Sequence, residues 1–189
     1  MKLIAIGDTH GKHNELTLPG GDILLHIGDF SDDRDEFDLF YPWFTKQPHL
    51  HKILLFGNHE ENKELGVKKL PGGITLLESD VGQTSVTIEG IKFCLPGAVS
   101  TADVVVSHCP PKNILDKGTV LAYGTRVIQR RISHCGYQEI LDQVQEIQPD
   151  IHIFGHAHRS FGMKEVDGIK YINVSQMGSG DTMPVVIEL

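Results

Sequence analysis

Lys52-Ile53-Leu54-Leu55-Phe56-Gly57-Asn58-His59-Glu60 is the stretch whose reading decides the fold. A short strand-like run ends in a glycine, and the chain then presents an amide and an imidazole side by side. Asn offers a neutral oxygen, and His offers a nitrogen that titrates near physiological pH. Neighbouring residues at a strand end point in different directions, so one can face a metal while the other faces a substrate. Taken alone, the last four residues read as a polar turn. The other strand ends of the chain shift that balance.

Working outward, the same pattern recurs. Residues 2–6 form a buried-type apolar run that delivers Asp8 and His10, and residues 22–27 form another that delivers Asp29. Residues 103–106 lead to His108, and residues 150–154 lead to His156 and His158. Five strand-like runs therefore end in residues suited to metals. In an open α/β sheet, ligands collect beyond the carboxyl ends of the strands. Two carboxylates, one amide oxygen and four imidazoles make a mixed nitrogen–oxygen shell without thiolate. A structural zinc would need only four of them. Two divalent cations about 3.5–4 Å apart, sharing one carboxylate, would use them all.

The set Asp8-x-His10, Gly28-Asp29, Gly57-Asn58-His59-Glu60, Ser107-His108 and Gly155-His156-x-His158 resembles the calcineurin-like metallophosphoesterase superfamily, with the motifs in the family's order. The resemblance implies a four-layer α/β/β/α sandwich of two central mixed sheets flanked by helices. It implies that Asp8, His10, Asp29 and His158 hold one cation, and that Asp29, Asn58, His108 and His156 hold the other. Manganese is the favoured ion, with iron, zinc or nickel also compatible. His59 would be the catalytic partner that protonates the leaving oxygen, and a metal-bridging hydroxide would be the nucleophile. Glu60, where many members carry Asp, is expected to support the loop. A closer resemblance is to the small phosphodiesterase-like branch that includes brain 239-type proteins. It rests on residues 21–30, 57–60, His108-x-Pro110-Pro111 and 149–156. Some members of that branch lose the first His of the last motif, whereas this chain keeps His156.

The activity implied is hydrolysis of a small phosphodiester, cyclic nucleotides included. A phosphomonoesterase or protein phosphatase on the same site is the alternative within enzymes. A non-catalytic interaction scaffold, as a retromer subunit of similar fold is, would be expected to have broken ligand motifs. Here they are intact. His134, in a His-x-Gly feature shared with related chains, and Arg126 are candidate substrate contacts. A solvated helix face is the plainer expectation for Arg126, Arg130 and Arg131.

The 189 residues suggest one domain spanning 1–189, with 40% hydrophobic and 22% charged residues. A net charge of −8 argues against a long nucleic acid as partner. No apolar stretch approaches the length of a membrane span. Three cysteines, Cys94, Cys109 and Cys135, show no metal spacing and fit a reducing compartment, so a cytoplasmic location is expected. The sequence leaves the oligomeric state open.

Between the motifs, 32–46 reads as a helix with Phe37, Phe40, Trp43 and Phe44 on one face, kinked or started late at Pro42. Tyr137, Ile140, Leu141, Val144 and Ile147 form a second helical stripe, stopped by Pro149. Residues 74–94 read as short antiparallel strands, and Glu89-Gly90 and Asp167-Gly168 as tight hairpin turns. Residues 109–135 carry no clear element. His26 and His152, inside strands, are expected to be packed or surface-facing. His13 is expected to be solvated, and His49 and His51 to flank a strand start.

Overall fold

A computed structural model describes residues 1–31, 37–60, 62–123, 128–175 and 183–189, with 120–123 and 128–130 described by backbone alone. The chain begins with β1 (Lys2–Ile6) and β2 (Ile23–His26), then helix α1 (Phe37–Lys46) and β3 (His51–Leu55). Helix α2 (Lys63–Lys69) leads to β4 (Ile74–Leu77), followed by β5 (Ser85–Ile88), β6 (Ile91–Cys94) and β7 (Val104–Val106). After β8 (Lys117–Tyr123) and β9 (Ile128–His134), helix α3 (Gln138–Ile147) precedes β10 (Ile151–Phe154). The chain closes with β11 (Gly162–Val166), β12 (Ile169–Asn173) and β13 (Val185–Glu188).

Two large sheets result. The first has the order β13-β1-β2-β3-β4 and the second the order β11-β12-β10-β7-β6-β5. The first is parallel except for β13, and the second is parallel at its centre with antiparallel edges at β11 and β5. Their facing sides meet in one apolar layer that includes Leu3, Leu25, Ile53, Phe93, Val106 and Ile153. The outer side of the first sheet packs on α1 through Ile4, Leu24, Phe37, Phe40 and Phe44. The outer side of the second packs on α3 through Val105, Phe154, Val144 and Ile147. This is the expected four-layer order. A strand with helices on one face and a second sheet on the other has no solvent side, which is why these runs read as continuous apolar sequence.

The hairpin turns form as expected, because Glu89-Gly90 and Asp167-Gly168 both carry positive φ at both residues. Other expectations need correction. β4 is not antiparallel to its successors but pairs parallel with β3, Lys52 opposite Ile74. It is reached through α2, a helix the sequence reading passed over. Residues 109–135 are not featureless, since β8 and β9 form a separate two-stranded ribbon. Arg131 and the backbone of Arg130 therefore lie in a strand and not on a helix, while Arg126 lies outside the described residues. Pro42 stands inside α1 and does not delay its start, and Tyr41 joins the buried face while Trp43 only borders it. His13 is buried, edge-on to Phe40 and tilted against Trp43. Residues 32–36 of the expected first helix lie outside the described residues.

Candidate metal centre

Every candidate ligand stands just beyond the carboxyl end of a strand. Asp8 and His10 follow β1, Asp29 follows β2, and Asn58 and His59 follow β3, all in the first sheet. His108 follows β7, and His156 and His158 follow β10, in the second. The seven expected ligands and His59 converge. Asp8, His10 and His158 present atoms within 4.8 Å of one another, as do Asp29, His108 and His156. Asn58 joins the latter group, its Oδ1 lying 3.0 Å from His108 Nε2. Asp29 also meets His10 and His59 within 4.8 Å, so it stands between the two groups. By distance alone, His59 too is in range to ligate.

The backbone that makes this convergence is bent sharply. Asp8, His10, Asp29 and His156 all have φ between 44° and 64°, the left-handed region that L residues rarely occupy. Such conformations cost on the order of 1–3 kcal/mol each and gather at functional sites. The glycines of the motifs answer a different demand, close approach. A Cβ on Gly57 would run into Asp29 Oδ1, and one on Gly155 into Asp8 Oδ2. The loop backbones thus lie directly against the two carboxylates. The N–H of His59 donates to Asp29 Oδ1 at 2.9 Å, and that of His156 donates to both Asp8 oxygens at 3.0 and 2.9 Å.

The donor set fits a cation. His108 Nδ1–H donates to the carbonyl of Ile27 at 2.9 Å, which leaves Nε2 as the free position. That nitrogen faces two oxygen acceptors, Asn58 Oδ1 at 3.0 Å and Asp29 Oδ2 at 3.3 Å. Three acceptors turned on one point need a positive charge between them. A proton is one solution, and burial that would lower the His108 pKa is overcome by Asp29, pushing it up to about 9. A divalent cation is the other, since metal and proton compete for one lone pair. Burial likewise works to raise Asp8 and Asp29, yet His158 beside Asp8 and His108 beside Asp29 hold both carboxyls below their ordinary values.

A supporting layer surrounds these groups. Glu60 is buried and accepts the N–H groups of Gly57, Asp29 and Phe30 at 2.7, 2.8 and 3.0 Å. It ties the β2 and β3 loops together, and burial followed by the Asp29 charge pushes its pKa up to about 7. His26 accepts the Gly28 N–H at Nδ1, so Nε2–H donates to Thr9 Oγ1 at 3.1 Å, between Asp8 and His10. Asn173, at the end of β12, donates to the carbonyls of Ala157 and Leu115 and holds the loop between His156 and His158. The sequence reading expected His26 to be packed or surface-facing, with no part in the site, and missed Asn173. The only trace of the first was its position two residues before Gly28, and a lone Asn closing an apolar run gave none of the second.

A cleft of about 240 Å³ opens in front of the cluster. Asp29, Asn58, His59, His156 and His158 line it, joined by Gly118 and Thr119 of β8 and by Cys135 just past the end of β9. His134 is not among the described residues that line it. Its half-exposed ring turns to Asp116, with Nδ1 2.6 Å from the buried Asp116 Oδ1. Asp116 also accepts from the N–H groups of Asn113 and Gly136, so it braces the base of the ribbon. Cys109, on the loop after His108, is partly buried, and burial pushes its pKa up to about 12.

Comparison with known proteins returns a consistent relationship. A profile described as calcineurin-like phosphoesterase matches residues 1–160. The UPF0046 protein K07C11.7 of Caenorhabditis elegans is 29% identical, the match covering 98% of this chain and 74% of that protein. Metallophosphoesterase domain-containing protein 1 of Homo sapiens is 25% identical over 92% of this chain and 65% of its own length. The chain thus spans about two thirds to three quarters of these relatives. Among solved structures, one aligns with a TM-score of 0.63 at 11% identity, covering 91% of this chain and 89% of that one. The structure of TT1561 of Thermus thermophilus aligns at 0.57 and 10% identity, covering 91% and 88%. At such identities these two likenesses speak for the fold alone.

Proposed function

The chain belongs to the calcineurin-like phosphoesterase family, and we propose that it hydrolyses a small phosphodiester, cyclic nucleotides included, with two divalent cations held by Asp8, His10, Asp29, Asn58, His108, His156 and His158. Manganese is the ion we favour. The observation that carries the reading is the position of Asp29, within ligand distance of residues from both clusters. Cations bound there would supply Lewis acidity, lowering the pKa of water and offsetting charge on the phosphoryl oxygens.

The chain's own residues have definite tasks in this reading. Asn58 and the imidazoles orient the phosphate, and the ribbon residues Gly118 and Thr119 restrict water on one side of the cleft. His59 has its backbone N–H fixed by Asp29, its ring edge-on to His10 at 4.7 Å, and 39% of its side chain exposed. It is the group free to give a proton to the departing alkoxide as the P–O bond breaks. A diester is favoured over a monoester because, among the described residues, no lysine or arginine lines this cleft. A dianionic monoester would call for such a cation, and a monoanionic diester does not.

The test joins metal content to turnover. About two ions per chain and Mn²⁺-dependent hydrolysis of bis(p-nitrophenyl) phosphate in preference to p-nitrophenyl phosphate are expected. His59→Ala should retain both ions and lose about 10²–10⁴ in kcat. Preference for the monoester would make the protein a phosphomonoesterase. Full activity in His59→Ala would remove His59 from the mechanism, and failure to take up metal would favour a scaffold.

A further inference from the structure

Thr119 of β8 lines the His59 cleft, and Arg159 Nε lies 3.5 Å from its Oγ1. Arg159 directly follows the candidate ligand His158, so its guanidinium stands at the edge of the cleft, just outside the lining residues. The backbone fixes a second cation beside it. The Arg159 N–H donates to the Lys117 carbonyl at 3.0 Å, and the Lys117 N–H donates to Ser160 Oγ at 2.9 Å. Lys117 and Thr119 are two residues apart on β8 and so share one face of the strand. Lys117, Thr119 and Arg159 are all exposed.

Neither cation meets a carboxylate. Lys63 pairs with Glu78 and Lys69 with Asp38, whereas Lys117 and Arg159 form no ion pair among the described residues. Asp116, next to Lys117 in the chain, is buried and accepts from Asn113, His134 and Gly136. The sequence of 117–138 contains Lys117, Arg126, Arg130 and Arg131 and no acidic residue, in a chain whose net charge is −8. A cationic edge in an acidic molecule draws anions to that place.

We propose that Arg159 and Lys117 form a subsite for a second phosphate, carried on the retained arm of the diester. The inference rests on the diesterase reading above. His59 follows a strand of the first sheet and His158 a strand of the second. With the leaving arm on the His59 side, the retained arm lies towards His158, Thr119 and the two cations. No described lysine or arginine lines the cleft itself, so the pair at its edge is left for a group other than the reacting phosphate. The donors select the chemistry. A guanidinium fork, an ammonium and the Thr119 hydroxyl match the three terminal oxygens of a phosphate monoester, where a carboxylate offers only two. Two cations also answer its double charge.

Two diesters with the same leaving group test it: p-nitrophenyl propyl phosphate and p-nitrophenyl 3-phosphopropyl phosphate. Shared p-nitrophenolate keeps the chemistry constant while the retained arm changes. The wild-type ratio of kcat/KM should favour the phosphorylated ester by about tenfold or more, the scale of charge-assisted hydrogen bonds. Arg159→Gln and Lys117→Gln should each lower that ratio, and the double variant should bring it towards one. Arg159→Lys should keep more of it than Arg159→Gln. Damage to the neighbouring His158 would slow both esters and cancel in the ratio. A ratio near one in the wild type, or one that the double variant leaves intact, overturns the subsite. The Nε–H signal of Arg159 in zinc-loaded protein gives a readout independent of turnover. It should shift further with propane-1,3-diol bisphosphate than with propyl phosphate. If neither ester is hydrolysed but the signal responds in this way, the diesterase reading falls and the phosphate subsite stands. If the esters turn over and the signal does not move, the subsite falls alone.

Discussion

At the scale of single residues, the site is built from conformations that cost free energy. Four candidate ligands sit at positive φ, and two loop glycines leave no room for a Cβ beside the carboxylates of Asp8 and Asp29. The extra methyl of Gly57→Ala has nowhere to go except into Asp29, which itself receives the His59 N–H. We expect this variant to lose about 1–3 kcal/mol of stability, as overpacking does, and to weaken metal binding at least about tenfold, the scale on which misoriented ligands lose affinity. Isothermal titration with Mn²⁺ would measure the second effect, and unchanged affinity would show that the carboxylate can turn aside at no cost. These dipeptides of glycine and ligand were the most legible part of the chain, because each closes an apolar run. His26 and Asn173 were not legible. Their importance lies in which backbone groups they reach, Thr9 and Gly28 in one case and Ala157 in the other, and no local spacing encodes that.

Elements repeat the lesson with a different cause. The buried runs β1, β2, β3, β7 and β10 announced themselves, since strands enclosed on both faces are apolar throughout. The β8–β9 ribbon did not, because its hydrophobic pattern is inverted. Gly118 is buried against Cys135, while Ile132 is 63% exposed. β4 was misplaced because Gly66 in the middle of the seven-residue α2 weakens the helical signal of the crossover. Within β10, the fully buried His152 donates Nε2–H to Ser107 Oγ at 2.9 Å, and that hydroxyl donates onward to the Cys109 carbonyl, so β10 is tied to the His108 loop. Burial pushes the His152 pKa down to about 3. Below pH ~6.5 the unfolded chain binds a proton that the folded one refuses. The stabilisation is thus complete above that pH and drains away as pH falls towards 3, at about 1.4 kcal/mol per pH unit. Urea unfolding of metal-free protein between pH 7 and 4 should therefore show a shallower pH slope in His152→Gln, by about one proton. An identical slope would mean that the folded protein accommodates the imidazolium.

Over the whole molecule, the two sheets are joined by an apolar layer and, at one end, by the ligand cluster. Two of the three clusters draw from both sheets, since Asp8 and His10 face His158, and Asp29 faces His108 and His156, while His10, Asp29 and His59 all follow strands of the first. Cations bound there would act as a staple between sheets as well as a catalytic centre. Binding to the folded chain alone stabilises by mass action, about 2.7 kcal/mol at a hundredfold excess over Kd. Chelation should thus lower the midpoint of thermal unfolding, and added Mn²⁺ should restore it. The staple predicts more than a shift in midpoint. Removing a ligand from one sheet should loosen the loop of the other, because neither half of a cluster holds the ion by itself. In His10→Ala, a first-sheet change, Mn²⁺ should slow amide exchange at 155–158 in the second sheet less than in the wild type, the Asp29, His108 and His156 cluster remaining. In His158→Ala it should likewise slow exchange at 7–11 in the first less than in the wild type. If Mn²⁺ protects the opposite loop in both variants as fully as in the wild type, the bridging role of the cluster is wrong.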